Sequence, residues 1–145
     1  MTTRVGIAVR MAFLREAADN WLSSTGRFQI TGQASTADEA VALMEETDPD
    51  VVLLDVNLPG LQGLQDVAAI AERFPNVDIV VLAEEGDREN IAAAVRRGAA
   101  GYVSLTWRAT DLVRIIRSVA AGKRLRLPDL RYNSASARSA NPRRS

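Results

Sequence analysis

Short apolar runs alternate along this chain with stretches whose apolar residues recur at helical spacing. Val5, Gly6, Ile7, Ala8 and Val9 form the first run and read as a buried strand. Leu14, Ala17, Ala18 and Trp21 follow at i, i+3, i+4 and i+7, which places one apolar stripe on a helix. Phe28, Gln29 and Ile30 suggest a second strand at a sheet edge. Thr36 and Glu39 then have the spacing of a capping box, and Ala37, Ala40, Val41 and Met44 supply the next helical stripe, which Pro49 ends. Val51, Val52, Leu53 and Leu54 are continuously apolar, as a central strand covered on both faces must be.

The same alternation continues. Leu64, Val67, Ala68 and Ala71 predict a third helix, residues 77–82 a fourth strand, and Ile91, Ala94, Val95 and Gly98 the inner face of a fourth helix. Gly101, Tyr102 and Val103 make a short fifth strand, and Leu112, Ile115, Ile116 and Val119 a last helix with Gly122 as its stop. Repeated strand-helix units of this kind predict a doubly wound α/β fold, a five-stranded parallel sheet flanked by five helices.

With 145 residues there is room for one domain with a core of its own. Its expected extent is residues 1–130. Residues 131–145 are too polar to add to a core and read as a basic, flexible tail. The chain has no Cys and no His, which removes disulfides, thiolate metal sites and the commonest acid/base side chain. No stretch approaches the roughly 20 apolar residues of a membrane span, so a cytoplasmic protein is expected. The formal net charge is +0, which gives no general attraction to nucleic acid or anionic membrane.

Doubly wound sheets place their ligands at the carboxyl ends of the strands. Neither G-x-G-x-x-G nor G-x-x-x-x-G-K-[ST] follows the first strand, where Arg10, Met11, Ala12 and Phe13 stand instead, so nucleotide binding is not expected. The polar group at a strand end is Asp55, placed directly after four apolar residues and followed by Val56, Asn57, Leu58, Pro59 and Gly60. By itself Asp55 could simply end the strand and open a turn.

Residues 50–63, DVVLLDVNLPGLQG, resemble the phosphoacceptor segment of response-regulator receiver domains, and residues 98–103, GAAGYV, resemble the approach to their fifth strand. Phe13, Leu14, Arg15 and Glu16, with Ala120, Ala121 and Gly122, place the resemblance closest to the branch that carries a C-terminal helix-turn-helix. The resemblance implies the flavodoxin-like receiver fold and a phosphate-triggered switch in two-component signalling. In the family, two acidic residues after the first strand join the phosphoacceptor and a backbone carbonyl two residues beyond it in holding Mg²⁺. A hydroxyl ending the fourth strand and a Lys ending the fifth bind the phosphoryl group.

Matched residue by residue, the acidic pair falls on Val9 and Arg10, the hydroxyl on Ala83 and the lysine on Leu105. Asp55, the carbonyl position Asn57 and the switch aromatic Tyr102 keep the pattern. Val and Arg offer no oxygen ligand to a hard cation, so Mg²⁺ binding is expected to be lost. Glu84 and Glu85 are more readily explained as solvated surface than as substitute ligands. Arg10 has another possible use: its guanidinium beside Asp55 would supply the missing positive charge, the alternative being a side chain in solvent over Phe13.

The expected function is that of a non-enzymatic, atypical receiver acting by protein–protein contact. Its partners would be a histidine kinase, another regulator or a second copy of itself, docked through the fourth helix, fifth strand and fifth helix, with Trp107 as an aromatic anchor at the edge. Two alternatives stay open: a working phosphorelay phosphoacceptor, and the regulatory half of a helix-turn-helix DNA-binding regulator. Specific nucleic-acid contact within this chain is not expected, since the scattered Arg residues of the tail would give only salt-sensitive binding.

Overall fold

In the computed structural model the described residues are 2–83, 88–104 and 108–122. Five strands alternate with five helices: β1 (Thr3–Ala8), α1 (Ala12–Ser23), β2 (Phe28–Ala34), α2 (Ala37–Thr47), β3 (Val51–Asp55), α3 (Leu64–Arg73), β4 (Asp78–Ala83), α4 (Arg88–Arg96), β5 (Gly101–Ser104) and α5 (Ala109–Ala120). The strands are parallel in the order β2-β1-β3-β4-β5. The flanking helices explain why β3 is apolar throughout. Val52 and Leu54 pack toward α2, α3 and α4 with Met44, Val67 and Ala94. Val51 and Leu53 pack on the other face, toward α1 and α5 with Ala18, Leu22, Leu112 and Ile116. A parallel strand between two helical layers has no solvent face to mark with polar residues.

Several helical stripes turn relative to the spacing first read. In α1 the buried residues are Ala18 and Leu22, whereas Trp21 is 38% exposed. The pattern Leu14, Ala18, Leu22 follows i, i+4, i+8 and is the one that faces the core. The second strand runs on to Ala34 and is an edge strand as expected, with a register shift opposite Val5 and Gly6. At Gly32 the end of the Leu43 side chain lies close, so that an added Cβ would sit 2.6 Å from Leu43 Cδ1 and that methyl would have to shift.

Thr36 caps α2 as predicted, accepting from the Glu39 N–H. The return bond differs: Glu39 accepts from the backbone N–H and hydroxyl of Ser35, one residue earlier than a reciprocal box requires. These bonds, the backbone one first, hold the Glu39 carboxyl below its usual range.

Gly98 lies beyond α4, not on its inner face. Its φ of +111° turns the chain toward β5, and its N–H donates to Val95 O. An added Cβ would meet the Ala71 Cβ at 3.0 Å. Gly98→Ala is therefore expected to cost about 1–3 kcal/mol from backbone strain alone, read as a lower urea midpoint with an unchanged slope. Gly122, at φ +88°, follows the C-cap of α5 and ends it as the sequence predicts.

Candidate functional site at the end of the third strand

Strand order reverses between β1 and β3, since β2 lies on one side of β1 and β3 on the other. The crevice of such a sheet opens there, at the carboxyl ends. Ala8 pairs with Leu54, Asp55 with Leu82 and Ala83 with Ser104. Parallel register thus brings Val9, Asp55, Ala83 and Ser104 to one end of the sheet, although they are far apart in sequence.

Asp55 is 7% exposed, and its carboxylate is held by the backbone. The Arg10 N–H donates to Oδ2 at 3.0 Å and the Asn57 N–H to Oδ1 at 2.8 Å. Leu58 N–H donates to the Asp55 carbonyl, and Val56 N–H to Leu82 O, which fixes the turn after β3. That turn is tied in addition to the start of α2, where Ala37 N–H donates to Pro59 O at 2.8 Å. A carboxylate buried to this extent would be costly without such donors.

Around Asp55, Val9 is fully buried among the apolar residues facing α1 and α5, and Ala83 is buried among those facing α2, α3 and α4. Tyr102 is 6% exposed and turned into that second cluster. Asn57 is exposed. Leu105 and Trp107 lie outside the described residues, as do Glu84 and Glu85.

Arg10 meets Asp55 differently from the charge pair considered above. Only its backbone amide reaches the carboxylate; its side chain is exposed, and the ion pairs among the described residues are Arg73–Glu45 and Arg114–Asp111. The physical reason lies in the direction of the chain. Leaving β1, the backbone points the residue-10 amide into the crevice and sends the side chain outward, where a guanidinium keeps its hydration.

A second arginine enters the site that the strand-end reading did not assign to it. Arg15, one turn into α1, donates from Nη1 to Val9 O at 2.8 Å and Arg10 O at 3.3 Å, and from Nε to Gln33 Oε1 at 3.2 Å. Gln33 in turn donates to Asp19 Oδ2 at 2.7 Å. The available signal was a long cationic side chain one turn after a strand end, which alone does not say where it points.

A parallel α/β sheet of this order with a buried, amide-held aspartate closing its central strand defines a receiver-type domain. Residues 11–117 match the response regulator receiver domain family, and the chain belongs to it. It is 32% identical over 110 residues to the nitrate/nitrite response regulator protein NarL of Escherichia coli (strain K12), a match covering 76% of this chain and 51% of that protein. To the transcriptional regulatory protein DegU of Brevibacillus brevis it is 28% identical over 119 residues, covering 82% of this chain and 50% of that one. This chain thus spans about half the length of these relatives. Among solved structures, it resembles the signal receiver domain of the response regulator NarL from Mycobacterium tuberculosis, at a TM-score of 0.78 and 26% identity, covering 83% of this chain and 98% of that one. A two-component response regulator of the LuxR family from Aurantimonas sp. SI85-9A1 gives a TM-score of 0.81 at 27% identity, covering 96% of this chain and 99% of that one. No described helix is long and apolar enough to cross a membrane.

Proposed function

We propose that this chain is an atypical receiver that signals by protein–protein contact, with Asp55 in a pocket that has given up Mg²⁺-dependent phosphoryl chemistry. The observation that carries this reading is the company Asp55 keeps at the shared strand end. Where the family places a pair of acids there stand a buried Val9 and an outward-pointing Arg10, and where it places a hydroxyl there is a buried Ala83. Mg²⁺ takes near-octahedral oxygen ligands and sheds its water reluctantly. One carboxylate, a backbone carbonyl at Asn57 and a neighbouring guanidinium do not fit such an ion. A phosphoryl group on Asp55 would likewise lack the charge neutralisation that its oxygens require.

The partners of this reading are a histidine kinase, another regulator or a second copy of the chain, met through the face of α4, β5 and α5, and its setting is the cytoplasm. A second reading, the regulatory half of a DNA-binding transcription regulator, is favoured by one observation: the chain matches only about half of relatives named as response and transcriptional regulators.

Incubation with acetyl phosphate and Mg²⁺, followed by intact-protein mass spectrometry, tests the pocket. The expected result is no phosphoryl adduct. An adduct that disappears in Asp55→Asn would overturn the reading and make Asp55 a working phosphoacceptor.

A further inference from the structure

Val9 O and the Arg10 N–H belong to the same peptide group. Arg15 holds its oxygen at 2.8 Å, and its N–H donates to Asp55 Oδ2 at 3.0 Å. Guanidinium, peptide and carboxylate therefore form one chain of hydrogen bonds with a full positive charge at one end and a full negative charge at the other. Hydrogen bonds in series polarise one another, and charged ends strengthen them further. Arg15 cannot swing freely, since Nε is held by Gln33 while Nη1 also takes Arg10 O.

We infer that Arg15 is the positioning residue of the Asp55 pocket, orienting and polarising the Val9–Arg10 peptide so that its N–H holds the Asp55 carboxylate. Arg15 supplies the cationic influence that the sequence had suggested for the Arg10 guanidinium, and it does so through the backbone. The arrangement has a directional consequence. Flipping the Val9–Arg10 peptide would break both bonds together, pointing a carbonyl at a carboxylate and an N–H at a guanidinium. The turn after β1 is thus held in one orientation. This deepens the reading of an unswitched pocket, and its meaning for signalling rests on that reading: an aspartate balanced from within the chain needs no metal to keep its surroundings fixed.

The test follows backbone amides by NMR in the full chain without metal. In Arg15→Gln the residue-10 amide proton is expected to move upfield and its exchange protection to fall about five- to ten-fold, the loss of roughly one net hydrogen bond. The amides of Val52 and Leu54 in the central strand should keep their protection. Arg15→Lys retains a cation within reach and should recover a substantial part of the residue-10 shift. Arg10→Ala keeps the peptide and should leave the amide in place. In the unaltered protein, which needs no variant to fold, the Arg15 guanidinium should show slowed rotation with resolved N–H resonances. A residue-10 amide indifferent to Arg15→Gln, an Arg15→Lys variant no better than Arg15→Gln, or a freely rotating Arg15 would each overturn the inference. Phosphorylation of Asp55 by acetyl phosphate would instead overturn the proposed function and leave these amide readouts untouched, so the two fail separately.

Discussion

Arg10→Asp is expected to give a melting temperature that rises with Mg²⁺, where no such response is expected of the parent under the proposed function. The Arg10 side chain is exposed and only its backbone amide touches Asp55, so the substitution leaves the hold on Asp55 intact. It puts a second carboxylate at residue 10, the position from which the family binds its metal, and the expected result requires this side chain to turn in toward the crevice. Without metal the two like charges repel, and the variant should melt below the parent. With Mg²⁺ they become oxygen ligands beside the carbonyl position at Asn57. A ligand that binds only the folded state stabilises it by about 2.7 kcal/mol at a hundred times its dissociation constant, enough to move the melting temperature by several degrees. Asp55→Ala in the Arg10→Asp background should abolish the response, and Ca²⁺, larger and tolerant of irregular geometry, should act more weakly. Thermal scans over a Mg²⁺ series on the parent, the single variant and the double variant decide the matter. A parent that already responds would show the pocket to be a metal site as it stands. An unresponsive Arg10→Asp would show that a carboxylate at residue 10 cannot reach the crevice.

The second large effect separates two neighbours in α1. Leu22 is fully buried against the β1 and α5 side of the core, and Trp21 beside it is 38% exposed. Leu22→Ala removes buried methyl groups from a close-packed layer and is expected to cost about 2–5 kcal/mol, through lost transfer energy and the cavity left behind. For a domain of this length that is a fall in melting temperature on the order of 10 °C. Trp21→Ala should cost less despite deleting more atoms, because 38% of the residue already faces water. Phe13→Ala, at 81% exposure, should lie within about 0.5 kcal/mol of the parent. Denaturant melts of the three variants settle the order. Trp21→Ala costing as much as Leu22→Ala would restore the stripe first read from the spacing, with Trp21 facing inward.

Those neighbours mark where a single sequence stops being decisive. Apolar spacing identified α1 as a helix but allowed two overlapping stripes, and only the shape of the space above β1 and β3 selects between Trp21 and Leu22. The strands were more legible. Val51 to Leu54 and Ile79 to Leu82 are buried on both faces, so burial itself writes an unbroken apolar run. Caps and stops were legible too, because Thr36 and Gly122 act within a few residues of their own positions. Gly98 shows the limit of that rule: its apolar spacing suited a helix face, while its positive φ is imposed by the approach to Ala71 and β5.

At the site, the sequence by itself determined that an aspartate follows the central strand, and its resemblance to receiver domains matches Val9, Arg10 and Ala83 to the positions of the family's acids and hydroxyl. Tertiary structure decided what reaches the Asp55 carboxylate. Parallel pairing of β1 with β3 brings the residue-10 amide to it across 45 positions of chain, and α1 folds back to set Arg15 on the far side of the same peptide. Residue type predicts which charges a chain carries. Whether an arginine acts through its guanidinium or through its amide depends on the direction of the backbone as it leaves the sheet, and that direction is set by contacts with strands and helices distant in sequence.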